Sequence, residues 1–437
     1  MARRTIDLSE FQWELGQAPR QVLGGPGFPA GYVPRDDRSA VDEWQPIRIP
    51  GNIRSHLFAL GRIPDVASPD DIKASEWVDD CDWWYRTRLH GVDSGDRVVL
   101  EADGIDYYCA IWLDGVLLGQ HAGMFGRQNI ILSPWINDSL EHELAIRVWG
   151  GGALPAIPDS PSRNFVRGLI AKLNPGMEYF PDRMATPKAQ FSFGWDFAPR
   201  VLTAGIWDDM RLVLVRGAYI EDCHVRAELL SADEDPVEAI WHLALRVTRW
   251  SQSAVKANIV IEPENFSASG YQSATRTIEL CSEGQTPCTE EYQLHLEMGA
   301  VHRWWPWDQG EPRLYRVTVT LLDRHGVVDG ISLTHGARSI ERGGPGRHDQ
   351  WRFRVNGRNV FLRGANWTPA DMLPGRLDAS RYRSLLRMAK SAGVNFLRIW
   401  GGGLREKQSF WDEMDRLGII AWQEFPLACA FLDHYPR

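Results

Sequence analysis

The chain has 437 residues, of which 44% are hydrophobic and 24% charged. This is ordinary globular composition, which excludes wholesale disorder and, at about 150 residues per domain, predicts roughly three domains. A net charge of −9, with 42 Arg among the 48 basic residues and no basic run, excludes a phosphate-coating nucleic-acid binder, and the lack of any run of about 18 apolar residues predicts no membrane span.

The start, Met-Ala-Arg-Arg-Thr-Ile-Asp, is basic, but no apolar stretch follows it, so no secretory signal is expected. The six cysteines, Cys81, Cys109, Cys223, Cys281, Cys288 and Cys429, include no C-x-x-C pair. They are expected to be free thiols in a cytoplasmic protein, without a disulfide framework or a zinc site. Trp is the compositional outlier at 20 residues; most should fill cores, and a few could stack on flat sugar faces.

Residues 1–218 read as a run of short strands. RVVLEA at 97–102 is one. YCAIWL at 108–113 is followed by Asp114-Gly115, a strong two-residue hairpin signal. ELAIRVW at 143–149 alternates, which places Leu144, Ile146 and Val148 on one face. No helix of convincing period is visible in this block, so a jelly-roll β-sandwich is predicted. The Pro-rich stretch 153–190 reads as a long loop, usually a sign of function or disorder.

Residues 219–343 give a second β-block, with strands expected near 224–230, 239–249, 257–261, 292–298 and 314–323. That density suggests an immunoglobulin-like β-sandwich. The run Gly343-Gly344-Pro345-Gly346 marks its end.

Over 344–437 the period changes. A hairpin is expected over 353–362 on Asn356-Gly357, and Val360–Arg363 runs into Gly364-Ala365-Asn366-Trp367, the end of a first strand. A helix should begin after Asp378, with Tyr382, Leu385, Leu386 and Ala389 on one face and Gly393 past its end. NFLRIW at 395–400 is a second strand, ending at Gly401-Gly402-Gly403. A second helix carries Phe410, Trp411, Met414 and Leu417, and residues 419–422 form a third strand. Strand–helix–strand–helix–strand predicts the opening of a TIM (β/α) barrel, of which three units are present. The fold class is thus multidomain, mostly β and then α/β, with an incomplete barrel.

Working residues of such barrels sit at the C-terminal ends of the strands. The first end offers Asn366, Trp367 and Asp371, the second Trp400, and the third Gln423 and Glu424. Aromatic faces, amides and carboxylates around one mouth suit a polyhydroxylated ring. The competing reading is that the tryptophans fill barrel layers and Glu424 is a solvated loop carboxylate. His121, His302 and His348 stand apart without metal-ligand spacing, residues 24–27 (GGPG) lack the Lys of a phosphate loop, and Asp233-Glu234-Asp235 is a solvated charge run.

GANWTPAD at 364–371, LRIWGGG at 397–403 and GIIAWQEF at 418–425 resemble the barrel entry of β-mannosidases of glycoside hydrolase family 2. KAQFSFGWDFAPR at 188–200 and TAGIW at 203–207 are similar to a segment typical of that branch. DWWYR at 82–86, GQHAGMF at 119–125 and WWPWDQGEPRLYR at 304–316 are similar to the family's two sandwich modules. The resemblance covers essentially the whole chain.

It implies a retaining exo-glycosidase that removes terminal β-D-mannosyl residues from oligosaccharides without a cofactor. It also implies that the two catalytic glutamates lie beyond Arg437, so that no catalytic residue is assigned here and the chain is a fragment that should aggregate or stay partly molten when alone. By motif, Trp195 and Asp196 are the sandwich residues sent into the sugar site, Trp400 is the aromatic beside the terminal sugar, and Asn366 and Trp367 take supporting places. Glu424 stands where Asp is usual, which puts its sugar contact in question. An Asp196–Glu424 pair acting as substitute catalytic acids is disfavoured, because a pair needs a complete supporting shell. Two other readings remain: a non-catalytic carbohydrate-binding protein, or the same family acting on β-glucosaminides, β-galactosides or β-glucuronides. The sequence does not fix the oligomeric state.

Overall fold

A computed structural model describes residues 3–21, 32–92, 97–136, 141–154, 183, 186–231, 235–250, 254–267, 274–280, 287–343 and 351–428. Residues 24–27, Asp233, Glu234, His348, Cys281 and Cys429 lie outside this set, as does most of 153–190.

The first module is two packed antiparallel sheets. One has four strands in the order Arg4–Asp7, Met210–Val215, Arg97–Ala102, Gln128–Ile131. The other has six, in the order Trp44–Ile47, Trp13–Pro19, Cys81–Leu89, His142–Trp149, Tyr108–Leu113, Val116–Ala122. The Asp114-Gly115 turn takes left-handed φ at both residues, 48° and 81°, the conformation that matches the twist of a two-residue hairpin.

Leu144, Ile146 and Val148 face the core between the sheets, as the alternation predicts. The other face of that strand is not solvated, however. Ala145 and Trp149 belong to a second apolar layer with Trp84, Tyr108 and Phe193, and Arg147 is fully buried against Asp82. The central strand is therefore covered on both sides.

Two short helices, Ile53–Ala59 and Pro69–Ala74, also break the all-strand expectation for this block. Neither is long enough to show a helical period, but both carry start signals. Asn52 and Ser55 form a reciprocal capping box, and Ser68 caps a helix with Pro at its first turn.

His56, in the first of these helices, is buried, and burial pushes its imidazole down to about 4. An unfolded chain binds that proton below about 6.5 and the native state does not, so stability falls as pH drops from 6.5 towards 4. One group shifted this far contributes about 3 kcal/mol over the window. Urea unfolding at pH 7 and pH 4.5 checks this: His56→Asn should flatten the dependence, and an unchanged slope in the variant would contradict it.

The second module packs a sheet of Ala218–Leu229, Val237–Arg249 and Cys288–Val301 on a sheet of Ala274–Leu280, Val255–Pro263, Tyr315–Asp323 and Gly326–His335. Alternate residues such as Trp241, Leu243, Leu245, Leu294 and Leu296 fill the space between them. Asp329 joins the two modules, accepting from Arg3 and from the Ile220 N–H at 2.8 and 2.6 Å.

Ile340–Arg342, Phe353–Val355 and Arg358–Val360 then form a three-stranded antiparallel sheet. Its tight turn is Asn356-Gly357. Three parallel strands follow, Gly364–Trp367, Phe396–Ile399 and Ile420–Gln423. The helices Ala379–Ser391 and Gln408–Leu417 connect them. Asp378 caps the first helix through the Arg381 N–H, and Gly393 and Gly418 end the two helices with positive φ.

One expectation is corrected. Val360 ends the antiparallel hairpin, as expected, and the parallel strand is short. It starts at Gly364, where the Phe396 carbonyl approaches to 2.1 Å of the place a Cβ would occupy. Asn366 and Trp367 are consequently the last two residues of the strand rather than part of the loop after it.

Loop 304–308 clasps the parallel segment to the second module. The Trp304 and Trp307 indole N–H groups donate to the carbonyls of Asp415 and Val394, both at 2.8 Å. Asn395 donates to Asp308 at 3.0 Å.

Candidate functional site

Phe193–Trp195 and Ala198–Arg200 form a short hairpin of the first module with Asp196 and Phe197 at its tip. Its base is held from within. Lys188 is fully buried and donates to Thr203 Oγ1 and the Thr203 carbonyl at 2.7 and 3.0 Å, and to Asp106. Burial pushes the Asp106 carboxyl up and the Lys188 ammonium down, while each partner's charge opposes that shift. Gln190 ties the same segment to the carbonyls of Thr186 and Lys188.

The hairpin reaches the C-terminal ends of the parallel strands. Trp195 and Trp400 meet edge to face, with centroids 4.8 Å apart at 66°, a favourable aromatic geometry. Phe197 also meets Trp400, with centroids 5.6 Å apart, and the Arg183 guanidinium lies 4.3 Å from the centre of the Trp195 ring. The backbone joins the two modules as well, since the Phe191 N–H donates to the Gly402 carbonyl at 3.0 Å. The Trp400 ring folds back over its own loop, so that a Cβ at Gly402 would lie 2.2 Å from two ring carbons. Only glycine fits beneath it.

Inside the strand ends, Arg398 is central. It donates to Glu424 Oε1 at 2.8 Å and to Asn366 Oδ1 at 2.9 Å. The other oxygen of Glu424 accepts from the Gly401 N–H at 2.8 Å. The longer Glu arm thus reaches back to order Arg398 and the glycine loop together.

Trp367 faces the opposite side of its strand. It packs 4.9 Å from Phe410, and its indole N–H donates to Glu406 at 2.9 Å. Burial raises the Glu406 carboxyl, which the Tyr382 hydroxyl also serves. Asp371 accepts from the Leu373 N–H in its own turn. Close by, Asp208 of the first module takes Arg405 at 3.2 Å, with Lys407 at 4.0 Å.

Of the six candidates from sequence, the structure brings Trp195, Asp196, Trp400, Asn366 and Glu424 to one end of the strands. It places Trp367 in the packing between sheet and helices. Sequence reasoning missed Phe197, Arg183, Lys188 and Arg398. For Arg398 a signal was available: it lies two residues after Phe396, on the face that points away from the helices. Among the described residues no group of three or more His, Cys, Asp or Glu is placed to hold a metal, and no helix is long and apolar enough to cross a membrane. Cys81, Cys109 and Cys223 are free thiols.

The described chain thus comprises two β-sandwiches and a parallel β/α segment, with a seam of tryptophans, Arg and carboxylates where the first sandwich meets the strand ends. Residues 34–208 match the glycosyl hydrolase 2 galactose-binding domain-like model, and residues 218–338 match that of glycosyl hydrolases family 2. The chain belongs to glycoside hydrolase family 2. It is similar to β-mannosidase B of Aspergillus terreus, with 28% identity over 418 residues, covering 92% of this chain and 45% of that protein. The corresponding enzyme of Neosartorya fischeri is also 28% identical, with 93% and 46% covered.

Among solved structures, the β-D-mannosidase of Dictyoglomus thermophilum superposes with a TM-score of 0.75 at 26% identity, covering 98% of this chain and 48% of that one. The exo-chitosanase of Amycolatopsis orientalis gives 0.69 at 17%, covering 96% and 43%, and shares the fold. The chain spans a little under half the length of these relatives.

Proposed function

We propose that this chain forms the substrate-gripping wall of a retaining exo-β-mannosidase that acts on short oligosaccharides. In this reading, residues 1–218 are a jelly-roll module, 219–343 an immunoglobulin-like module, and 344–437 the first three units of a TIM barrel. The observation that supports it best is the Trp195–Trp400 contact, which sets a sandwich hairpin against the strand ends where barrel chemistry is done.

Asp196, at the hairpin tip, takes ring hydroxyls, Trp195 and Trp400 cover the apolar sugar face, and Asn366 and Glu424 hold Arg398 towards the reacting end. Trp367 supports the strand from behind. The acid/base and nucleophile, two carboxylic acids about 5–5.5 Å apart in retaining enzymes, come from the length of the relatives that this chain does not match. No residue described here takes either role, and both oxygens of Glu424 are engaged elsewhere.

A panel of p-nitrophenyl glycosides tests the proposal. The chain by itself should release no p-nitrophenol, and an enzyme carrying the complete barrel should act on the β-mannoside in preference to the β-glucosaminide, β-galactoside and β-glucuronide. Preference for another sugar would overturn the specificity. Saturable mannoside binding without hydrolysis by the complete protein would make it a carbohydrate-binding protein instead.

A further inference from the structure

The second module carries a side-chain cluster that has no place in sugar recognition. His242 and His295 stand directly opposite each other on adjacent antiparallel strands. Their neighbours Trp241, Leu243, Leu294 and Leu296 point into the core, so both imidazoles point outward. The two Nδ1 atoms are 2.8 Å apart, and the rings are nearly perpendicular at 80°. On its far side, His242 Nε2 lies 2.9 Å from Glu228 Oε2 on the next strand.

A carboxylate on Nε2 keeps the proton there and leaves Nδ1 as a lone-pair donor. His295 Nδ1–H then donates to that lone pair. The arrangement is the one that orients metal-binding histidines: carboxylate, imidazole, then an open nitrogen.

The two nitrogens lie close enough to serve one ion once the hydrogen bond between them is broken, and among divalent ions imidazole donors hold copper(II) most tightly, with nickel(II) next in the series. Imidazole donors also disfavour magnesium and calcium, which take oxygen. The pair opens into a groove of about 620 Å³, lined by Ile240, Thr275, Arg276, Leu296 and Glu297 as well as the two histidines. No third protein ligand completes the set among the described residues, so water from the groove fills the remaining positions.

We propose that His242 and His295 form a binding site for a divalent ion, copper(II) or nickel(II), with Glu228 orienting His242. When the ion enters, the two Nδ1 lone pairs make the new bonds. His295 gives up its Nδ1 proton to solvent and takes one at Nε2, so the neutral pair releases no net proton.

Copper(II) titration of the metal-free chain at pH 7.5, followed by calorimetry and electron paramagnetic resonance, tests this. The expected result is one equivalent bound, with hyperfine splitting from two nitrogens. His242→Asn and His295→Asn should each weaken binding at least 100-fold at an unchanged melting temperature, and Glu228→Gln about tenfold. Copper bound as tightly by the two His variants would place the ion elsewhere and overturn the proposal. A wild-type spectrum lacking the two-nitrogen pattern would overturn it without reference to any variant.

Discussion

Gly402→Ala should lower kcat/KM of the complete enzyme on an aryl β-mannoside about 100-fold, the usual cost of misplacing a contact by about 1 Å. The added methyl would sit 2.2 Å from Trp400 Cη2 and Cζ2. The ring already packs against Trp195 and Phe197. Either Trp400 swings out and abandons Trp195, or the loop lifts and breaks the hydrogen bond from the Phe191 N–H. Both outcomes separate the sandwich hairpin from the strand ends. Steady-state kinetics measures the loss, and near-ultraviolet circular dichroism reports the tryptophan pair. Gly299→Ala is the matched control, since nothing lies within 4 Å of its would-be Cβ; it should be silent in both. Normal kinetics in Gly402→Ala would mean that Trp400 does not touch substrate.

Lys188→Met should destabilise the first module by about 3–5 kcal/mol, the cost of leaving one member of a buried ion pair uncompensated. Asp106 would be left fully buried, with Thr203 Oγ1 as its remaining donor. Removing both charges, in Lys188→Met/Asp106→Leu, should recover much of that loss, because apolar replacements of whole buried pairs are often neutral. Urea unfolding of the three proteins makes the comparison. A single variant no worse than a surface substitution would show that water or a rearranged neighbour compensates Asp106.

The features of the fold that were legible in the sequence are those written in local chemistry. Asp114-Gly115 and Asn356-Gly357 announce hairpins because few other residues accept two successive left-handed conformations. Asp378, Gly393 and Gly418 mark helix ends for the same local reason. Long-range packing was not legible. Nothing local distinguishes Ala145 and Trp149 as members of a second buried layer, or tells that the parallel strand opens only at Gly364 and ends on Asn366 and Trp367. The site divides in the same way. Trp195, Asp196, Trp400 and Glu424 stand in quotable motifs. Arg398 acquires its importance from Asn366 and Glu424, 32 and 26 residues away in sequence, and Lys188 from Asp106, 82 residues away.

The junction between the second sandwich and the parallel segment is fastened on two sides. The chain crosses it within an antiparallel ladder, in which Ile340–Arg342 pairs with Phe353–Val355 and the Gly343 N–H donates to the Arg352 carbonyl at 2.7 Å. Trp304 and Trp307 bolt the same junction from the opposite side. Fastenings on both sides oppose hinge bending between the two described bodies. The second sandwich and the parallel strands therefore move as one frame, with the Asp196-Phe197 tip a small separate piece set against it.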